Sequence, residues 1–311
     1  MIKRYSLLIT LLILIITASD MAIAKQEPVK SDPSKNEWYS PIEQLTGLKG
    51  TFNQEQNLFK VTYPRTDVKV TVDQISMPPF MGLTSWASFT KGAKGEFMVM
   101  GDMVLFSDEV NSVMSVALDN GLEVTALHNH FFFDDPKVFF MHIGGEGSVE
   151  QLTIGVRKVL DKVKEIRSVN SNPVNTFAGG SIAQPSNITA KIIENILGIK
   201  GQSKDGMFKA TIGRETKMAC GCKVGKDMGI NTWAAFMGSD GKAIVDGDFV
   251  VHEDELQTVL KSLRHSNINV VAIHSHMTQE NPRMLFLHYW GIGSTADLAK
   301  ALKAALNTQK S

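Results

Sequence analysis

Two stretches decide the reading of this chain. They are Ala126-Leu-His128-Asn-His130-Phe-Phe-Phe-Asp-Asp-Pro136-Lys-Val-Phe-Phe140-Met-His142-Ile-Gly-Gly-Glu-Gly147-Ser148 and Ala272-Ile-His274-Ser-His276-Met-Thr-Gln-Glu-Asn-Pro282-Arg-Met-Leu-Phe286-Leu-His288-Tyr-Trp-Gly-Ile-Gly293-Ser294. Three histidines, a proline with a basic residue after it, and a Gly-x-Gly-Ser ending recur at one offset of 146 residues. A repeat of this length sets the architecture before any residue is given a chemical role, because each copy marks one structural unit.

Outward from the histidines the correspondence continues. Gly47-Leu-Lys-Gly50 matches Gly198-Ile-Lys-Gly201, Phe59-Lys60 matches Phe208-Lys209, Arg65 matches Arg214, and Trp86-Ala-x-Phe89 matches Trp233-Ala-x-Phe236. Offsets drift from 151 to 146, as small loop deletions would make them; Gly101-Asp102 with Gly247-Asp248, and Asp108-Glu109 with Asp254-Glu255, then keep 146. The units therefore run over about 41–167 and 190–307, and residues 168–189, rich in Ser, Asn, Pro and Gly, form the linker.

Within a unit, residues 58–72 and 96–106 have the β-branched, aromatic and alternating character of strands. A helix follows, with Ser107 as N-cap, Asp108 and Glu109 at its positive end, and Val110, Val113, Met114, Ala117 and Leu118 along one face until Asn120-Gly121 stops it. Leu256, Val259, Leu260 and Leu263 repeat that face. Residues 122–133 and 138–143 read as two strands around Asp134-Asp-Pro136, and Ser148 opens a last helix whose core stripe is Val149, Leu152, Val156, Val159, Leu160 and Val163. The expected fold is α+β: a tandem duplication of an antiparallel sheet with helices on one face, a ferredoxin-like variant with a displaced strand, packed about a pseudo-two-fold axis.

The chain starts with Lys3 and Arg4 before an apolar run from Leu7 to Ile16, then Ala22-Ile-Ala24, so residues 1–24 read as a signal peptide and 25–40 as a polar, flexible leader. That run is shorter than the roughly 18 residues of a membrane span, and no comparable run follows. No cysteine near the cleavage site offers a lipid attachment point. An exported, soluble product, periplasmic or secreted, is expected. Removing Lys3, Arg4 and Asp20 leaves 30 basic and 31 acidic residues, which gives no electrostatic reason to expect nucleic acid as a partner.

The duplicated His-x-His strand, Asn231-Thr-Trp-Ala-Ala-Phe236, Val245-Asp-Gly-Asp248 and His288-Tyr-Trp-Gly291 resemble the LppY/LpqO family of exported bacterial proteins from end to end. That resemblance implies a domain of unknown function with exported and lipoprotein members, and carries over no activity or catalytic residue. The missing lipidation cysteine departs from the lipoprotein members.

Chemistry in the repeat rests on spacing. His128 and His130 lie two apart in a strand, so their alpha carbons are roughly 6.5–7 Å apart on one face and both reach one ion. An odd-length hairpin loop centred near Asp135 or Pro136 places His142 opposite His128 or His130; an even loop turns it to the other face. His274, His276 and His288 repeat the set, so the six use most of the eight histidines in the chain. Three imidazoles with an open position suit catalytic zinc, and copper or nickel also accept nitrogen ligands. A histidine held by one hydrogen bond in a half-buried strand is the competing reading. Asp102, Asp248, Glu109 and Glu255 are the candidate acids, against turn and helix-terminus roles. Trp86, Trp233, Tyr289 and Trp290 are candidate pocket walls, against plain core. Tyr289 and Trp290 favour the second unit as the working site. Cys220-Gly-Cys222, found only in that unit, suits a strained disulfide or a soft ion. Gly144 to Gly147 resembles an anion cradle but lacks the lysine of a nucleotide loop, so no nucleotide cofactor is expected. Three classes of function remain: an exported metal-dependent hydrolase, a protein that binds a metal ion or small molecule, and a structural envelope protein without metal.

Overall fold

The computed structural model describes residues 38–93 and 95–310. The expected signal peptide and most of the expected leader lie outside the described residues. The chain is mixed α+β, and its first half contains β1 (Gly50–Asn53), β2 (Leu58–Pro64), β3 (Val70–Val72), β4 (Ile75–Met77), β5 (Thr84–Lys91), β6 (Phe97–Phe106), β7 (Glu123–His128), β8 (Asp134–Asp135) and β9 (Val138–Gly147). Its second half contains β10 (Gly201–Lys204), β11 (Met207–Gly213), β12 (Thr216–Lys217), β13 (Lys223–Val224), β14 (Asn231–Ser239), β15 (Lys242–His252), β16 (Asn269–His274) and β17 (Met284–Gly293). Six α-helices lie among the described residues: α1 (Ser40–Thr46), α2 (Val110–Asp119), α3 (Val149–Val169), α4 (Ala190–Leu197), α5 (Leu256–His265) and α6 (Thr295–Leu306).

Twelve strands form one sheet in the order β1-β2-β5-β6-β9-β7-β16-β17-β15-β14-β11-β10. β6 and β7 both pair antiparallel with β9, so they run parallel to each other with α2 crossing between them. β15 and β16 stand in the same relation to β17, with α5 as the crossover. The helices cover one face. Val99, Met103, Leu105, Met141 and Ile143 from the strands join Val113, Val156, Val259 and Leu302 from the helices in a single core. Because side chains alternate along a strand, Asp102 and His142 must project from the opposite face.

The apolar stripes of α2 and α3 are buried where the spacing places them. Ser148 caps α3, its hydroxyl accepting from Gln151 N at 3.2 Å. Ser107 does not cap α2; the helix starts at Val110, and Glu109 takes the N-cap position. The Glu109 carboxylate instead accepts the Phe106 backbone N–H at 2.9 Å. Gly144 to Gly147 also differs from the cradle reading, because these residues continue β9 and pair with β6 from Met100 back to Phe97. Strand pairing uses their backbone groups, and no phosphate loop is built.

At the centre of the sheet β7 pairs antiparallel with β16 through Leu127 and Ile273. Each strand bulges just before its histidine, between Val124 and Ala126 and between Val270 and Ala272. A bulge adds one residue to one strand and so shifts the side-chain alternation by one across it. Val124 and Leu127 thereby both reach the core. Across the seam, Asn111 on α2 donates to Val270 O at 3.2 Å and accepts from Val270 N at 2.8 Å. Gln257 on α5 returns the arrangement to Val124, with both bonds at 3.0 Å.

The face without helices is partly covered. In the first half β4, β3 and β8 form a small sheet over Val104, Phe106 and Phe140. In the second, the β12–β13 arm lies over Val250, Met284 and Phe286. Residues 170–189 carry no helix or strand beyond an isolated bridge from Asn187 to Ser239.

Candidate functional site

The second histidine cluster is assembled by strand pairing. His288 on β17 lies opposite Asp248 on β15 and opposite Ala272 on β16, so His274, two residues along, shares its face. The His274 and His288 rings stack with centroids 4.7 Å apart. His276 leaves the strand and folds back over the Phe286 ring, centroids 3.5 Å apart. That turn brings His276 Nε2 to 3.2 Å from His274 Nε2 and 3.3 Å from Asp248 Oδ2. Ligand atoms of Asp248, His274 and His276 all lie within 4.8 Å of one another, a spacing that can hold a metal ion. A tetrahedral site with bonds of about 2.0–2.1 Å has ligand-to-ligand edges of roughly 3.4 Å, close to the two measured separations.

The surroundings bear on how these groups can ligate. Asp248 is almost fully buried, and its Oδ1 has no hydrogen-bond partner. Burial lowers the pKa of His274, with further lowering from His288 and His276 against the opposing pull of Asp248, so the neutral imidazole is favoured. His288 Nδ1 lies 3.4 Å from Gly247 O. Donation to that carbonyl leaves Nε2 as the lone-pair nitrogen, the way outer contacts commonly set a ligating tautomer.

The first half places the same residue types alike. Asp102 on β6 is opposite His142 on β9, and His142 is opposite Ala126 on β7. The hairpin is therefore centred on Asp134, one residue before the expected loop centre, and His142 is diagonal to His128 on one face. Their Nε2 atoms are 3.0 Å apart. His130 folds back over Phe140, centroids 3.3 Å apart. Asp102 Oδ1 is buried without a partner, as in the second half. Burial lowers the pKa of His130, and His128 and His142 add to the effect while Asp102 opposes it.

A family profile matches residues 40–162 and again 191–308. The chain belongs to that family. It is described as a Domain of Unknown Function (DUF1259). No curated protein and no solved structure matches the chain. Two matched regions are compatible with duplication, and no helix among the described residues is long and apolar enough to cross a membrane.

In this DUF1259 chain the other candidate residues fall into place by geometry. Glu109 is fully buried and accepts two bonds from Arg65 at 2.8 Å, while Arg167 Nε stands 2.9 Å from it. Glu255 pairs with Arg214 and accepts from the backbone of His252 and Lys310, both at 2.9 Å. These carboxylates are engaged by guanidinium groups and backbone N–H groups, an arrangement of support. Tyr289 departs from the pocket reading. It neighbours His288 in a strand and so points into the core, with its hydroxyl donating to Trp233 O at 2.9 Å. Trp290 does share the His288 face, and with Asp246, Val271, Ile292 and Phe177 of residues 170–189 it lines a groove of about 720 Å³ beside the cluster. Trp86 and Trp233 lie opposite Asp102 and Asp248. Lysines stand over both rings, Lys60 at 4.5 Å and Lys209 at 4.2 Å from the centroids.

The sequence reads the aspartates as acids or turn residues and not as ligands, although Asp248 stands among the ligand atoms. It also left Arg65 and Arg214 without partners. A signal for the latter was present, since an arginine and a glutamate recur together in both units, and a pair of opposite charges that is copied together is readily read as an ion pair.

Proposed function

We propose that the protein binds a transition-metal ion, zinc or copper, through Asp248, His274, His276 and His288, and presents it to a small molecule in the groove beside Trp290. The observation that carries this reading is the trio of ligand atoms within 4.8 Å, one of whose residues, Asp248, keeps a buried oxygen without a partner. Burying an unpaired carboxylate oxygen is costly, and a cation in the cluster relieves that cost. A bound ion of this kind supplies Lewis acidity and an acidified water, the chemistry of metal-dependent hydrolysis. The groove, not the core tyrosine, then sets which ligand is accepted. Asp102, His128, His130 and His142 form a second, related cluster. Purely structural use of the histidines fits less well, because both aspartates would carry an unsatisfied oxygen with no return.

Several features support the wider reading. Mirrored strand order supports a duplication about a pseudo-two-fold axis, with units at 41–167 and 190–307 joined by 168–189. β5 beside β6 fits a ferredoxin-like unit whose edge strand comes from earlier in the chain. The LppY/LpqO resemblance and the N-terminal pattern support export to a periplasm or beyond, with a metal ion or small molecule as partner. Metal content settles the central claim. Full-length protein purified without a histidine tag is analysed for zinc and copper by mass spectrometry, alongside His276→Ala and His130→Ala. His276→Ala should lose about one ion per chain; full metal content in both variants removes the metal reading.

A further inference from the structure

Beside the histidine cluster stands a second set of soft ligands. Residues 218–222 form a tight turn in the β12–β13 arm, closed by Met218 N to Cys222 O at 2.9 Å and Gly221 N to Met218 O at 2.8 Å. Gly221 holds φ +84°, a conformation that glycine adopts without strain. The turn sets Cys220 and Cys222 side by side, both exposed and neither in a disulfide. The Cys222 backbone N–H donates to Cys220 Sγ at 3.4 Å. The arm is fixed to the loop that carries His276. Lys217 and Asn281 exchange backbone bonds at 3.3 and 2.9 Å, and Met218 packs with Met277 against Phe286, the ring beneath His276. From the following 3-10 turn, a Cβ at Gly229 would stand only 3.7 Å from His276 Nδ1.

We propose that Cys220 and Cys222 form a thiolate site for a soft monovalent d10 cation, copper(I) being the type, separate from the nitrogen and oxygen cluster. Two thiolates suffice for such an ion, whereas zinc normally takes four ligands and would need two more. Among the described residues the one group of three or more His, Cys, Asp or Glu placed to share an ion is the aspartate-histidine trio, which does not include these thiols. Binding replaces both S–H protons with the metal and releases two protons to solvent, with no change of oxidation state. The backbone N–H directed at Cys220 Sγ stabilises the thiolate as it forms. Since the first unit has Thr71 and Asp73 at the corresponding places, this site distinguishes the second half.

The proposal stands whether or not the histidines bind metal, and the test separates the two. Reduced full-length protein without an affinity tag is titrated anaerobically with copper(I) held by a chromophoric competitor, as wild type, as the double variant Cys220→Ser with Cys222→Ser, and as His276→Ala. Both cysteines are exposed, so the serine substitutions leave the fold intact. The double variant should bind one equivalent fewer than wild type, and His276→Ala should keep that equivalent. Copper(I) or silver(I) should also slow alkylation of the two thiols by about ten-fold or more, since the thiolate is the reactive form. Equal copper in wild type and the double variant, or thiols that stay freely alkylated in copper(I), whether in wild type or in His276→Ala, would each overturn the assignment.

Discussion

Replacing Glu255 by glutamine tests whether this residue supports the fold or works at the metal cluster. Burial opposes ionisation of Glu255, but hydrogen bonds from Arg214 and from the His252 and Lys310 backbone outweigh it and bring the pKa from 4.5 to about 2. At about 1.36 kcal/mol per pKa unit, the ionised form contributes about 3 kcal/mol at neutral pH. A depressed carboxylate pKa gives stability that is complete above the unfolded value and drains away as pH falls through the folded one. Wild type should therefore lose this contribution between about pH 5 and pH 2, while Glu255→Gln lacks it throughout. Urea unfolding followed by circular dichroism at pH 7 should find the variant about 3 kcal/mol less stable, and the gap between the two proteins should close on acidification. Metal content per folded chain should not change. A variant of wild-type stability that has lost its metal would refute the assignment and return Glu255 to the site.

Two further substitutions test the core face of β15 and β17. Gly247→Ala would place a Cβ 2.2 Å from both Trp233 O and the Tyr289 hydroxyl, and should cost about 2–3 kcal/mol in urea unfolding; an unchanged midpoint would mean that β14 and Tyr289 are not packed as described. Tyr289→Phe removes the hydroxyl bonded to Trp233 O, so calorimetry should find about 1 kcal/mol of lost stability with metal content intact, and metal loss without a stability change would place Tyr289 in the site instead.

Local periodicity made much of the fold legible. The stripes of α2 and α3, the Ser148 cap and the hairpin carrying the histidines all follow from spacings within about twenty residues. The same alternation, applied from His288 to its neighbour, would have turned Tyr289 into the core. What escaped is non-local. Asp248 meets His288 only because β15 pairs with β17, and no spacing within either strand fixes that register. His276 approaches Asp248 because a loop folds back onto Phe286, a placement set by packing and not by strand geometry. The Glu109 side chain, read as a helix-terminus charge, turns instead to Arg65, 44 residues away, since a buried guanidinium needs a carboxylate more than a helix end does.

The seam between the halves has a mechanical consequence. Many two-lobed binding proteins close on a ligand by bending at a place that few contacts cross. Here the junction is strand pairing at Leu127 and Ile273, held on either side by Asn111 and Gln257 reaching into the opposite half. To swing one half against the other would tear the middle of a twelve-stranded sheet. The two clusters are instead approached past the β3–β4–β8 sheet on one side and the β12–β13 arm on the other, each packed on the face without helices, so that the sheet acts as a fixed bench beneath them.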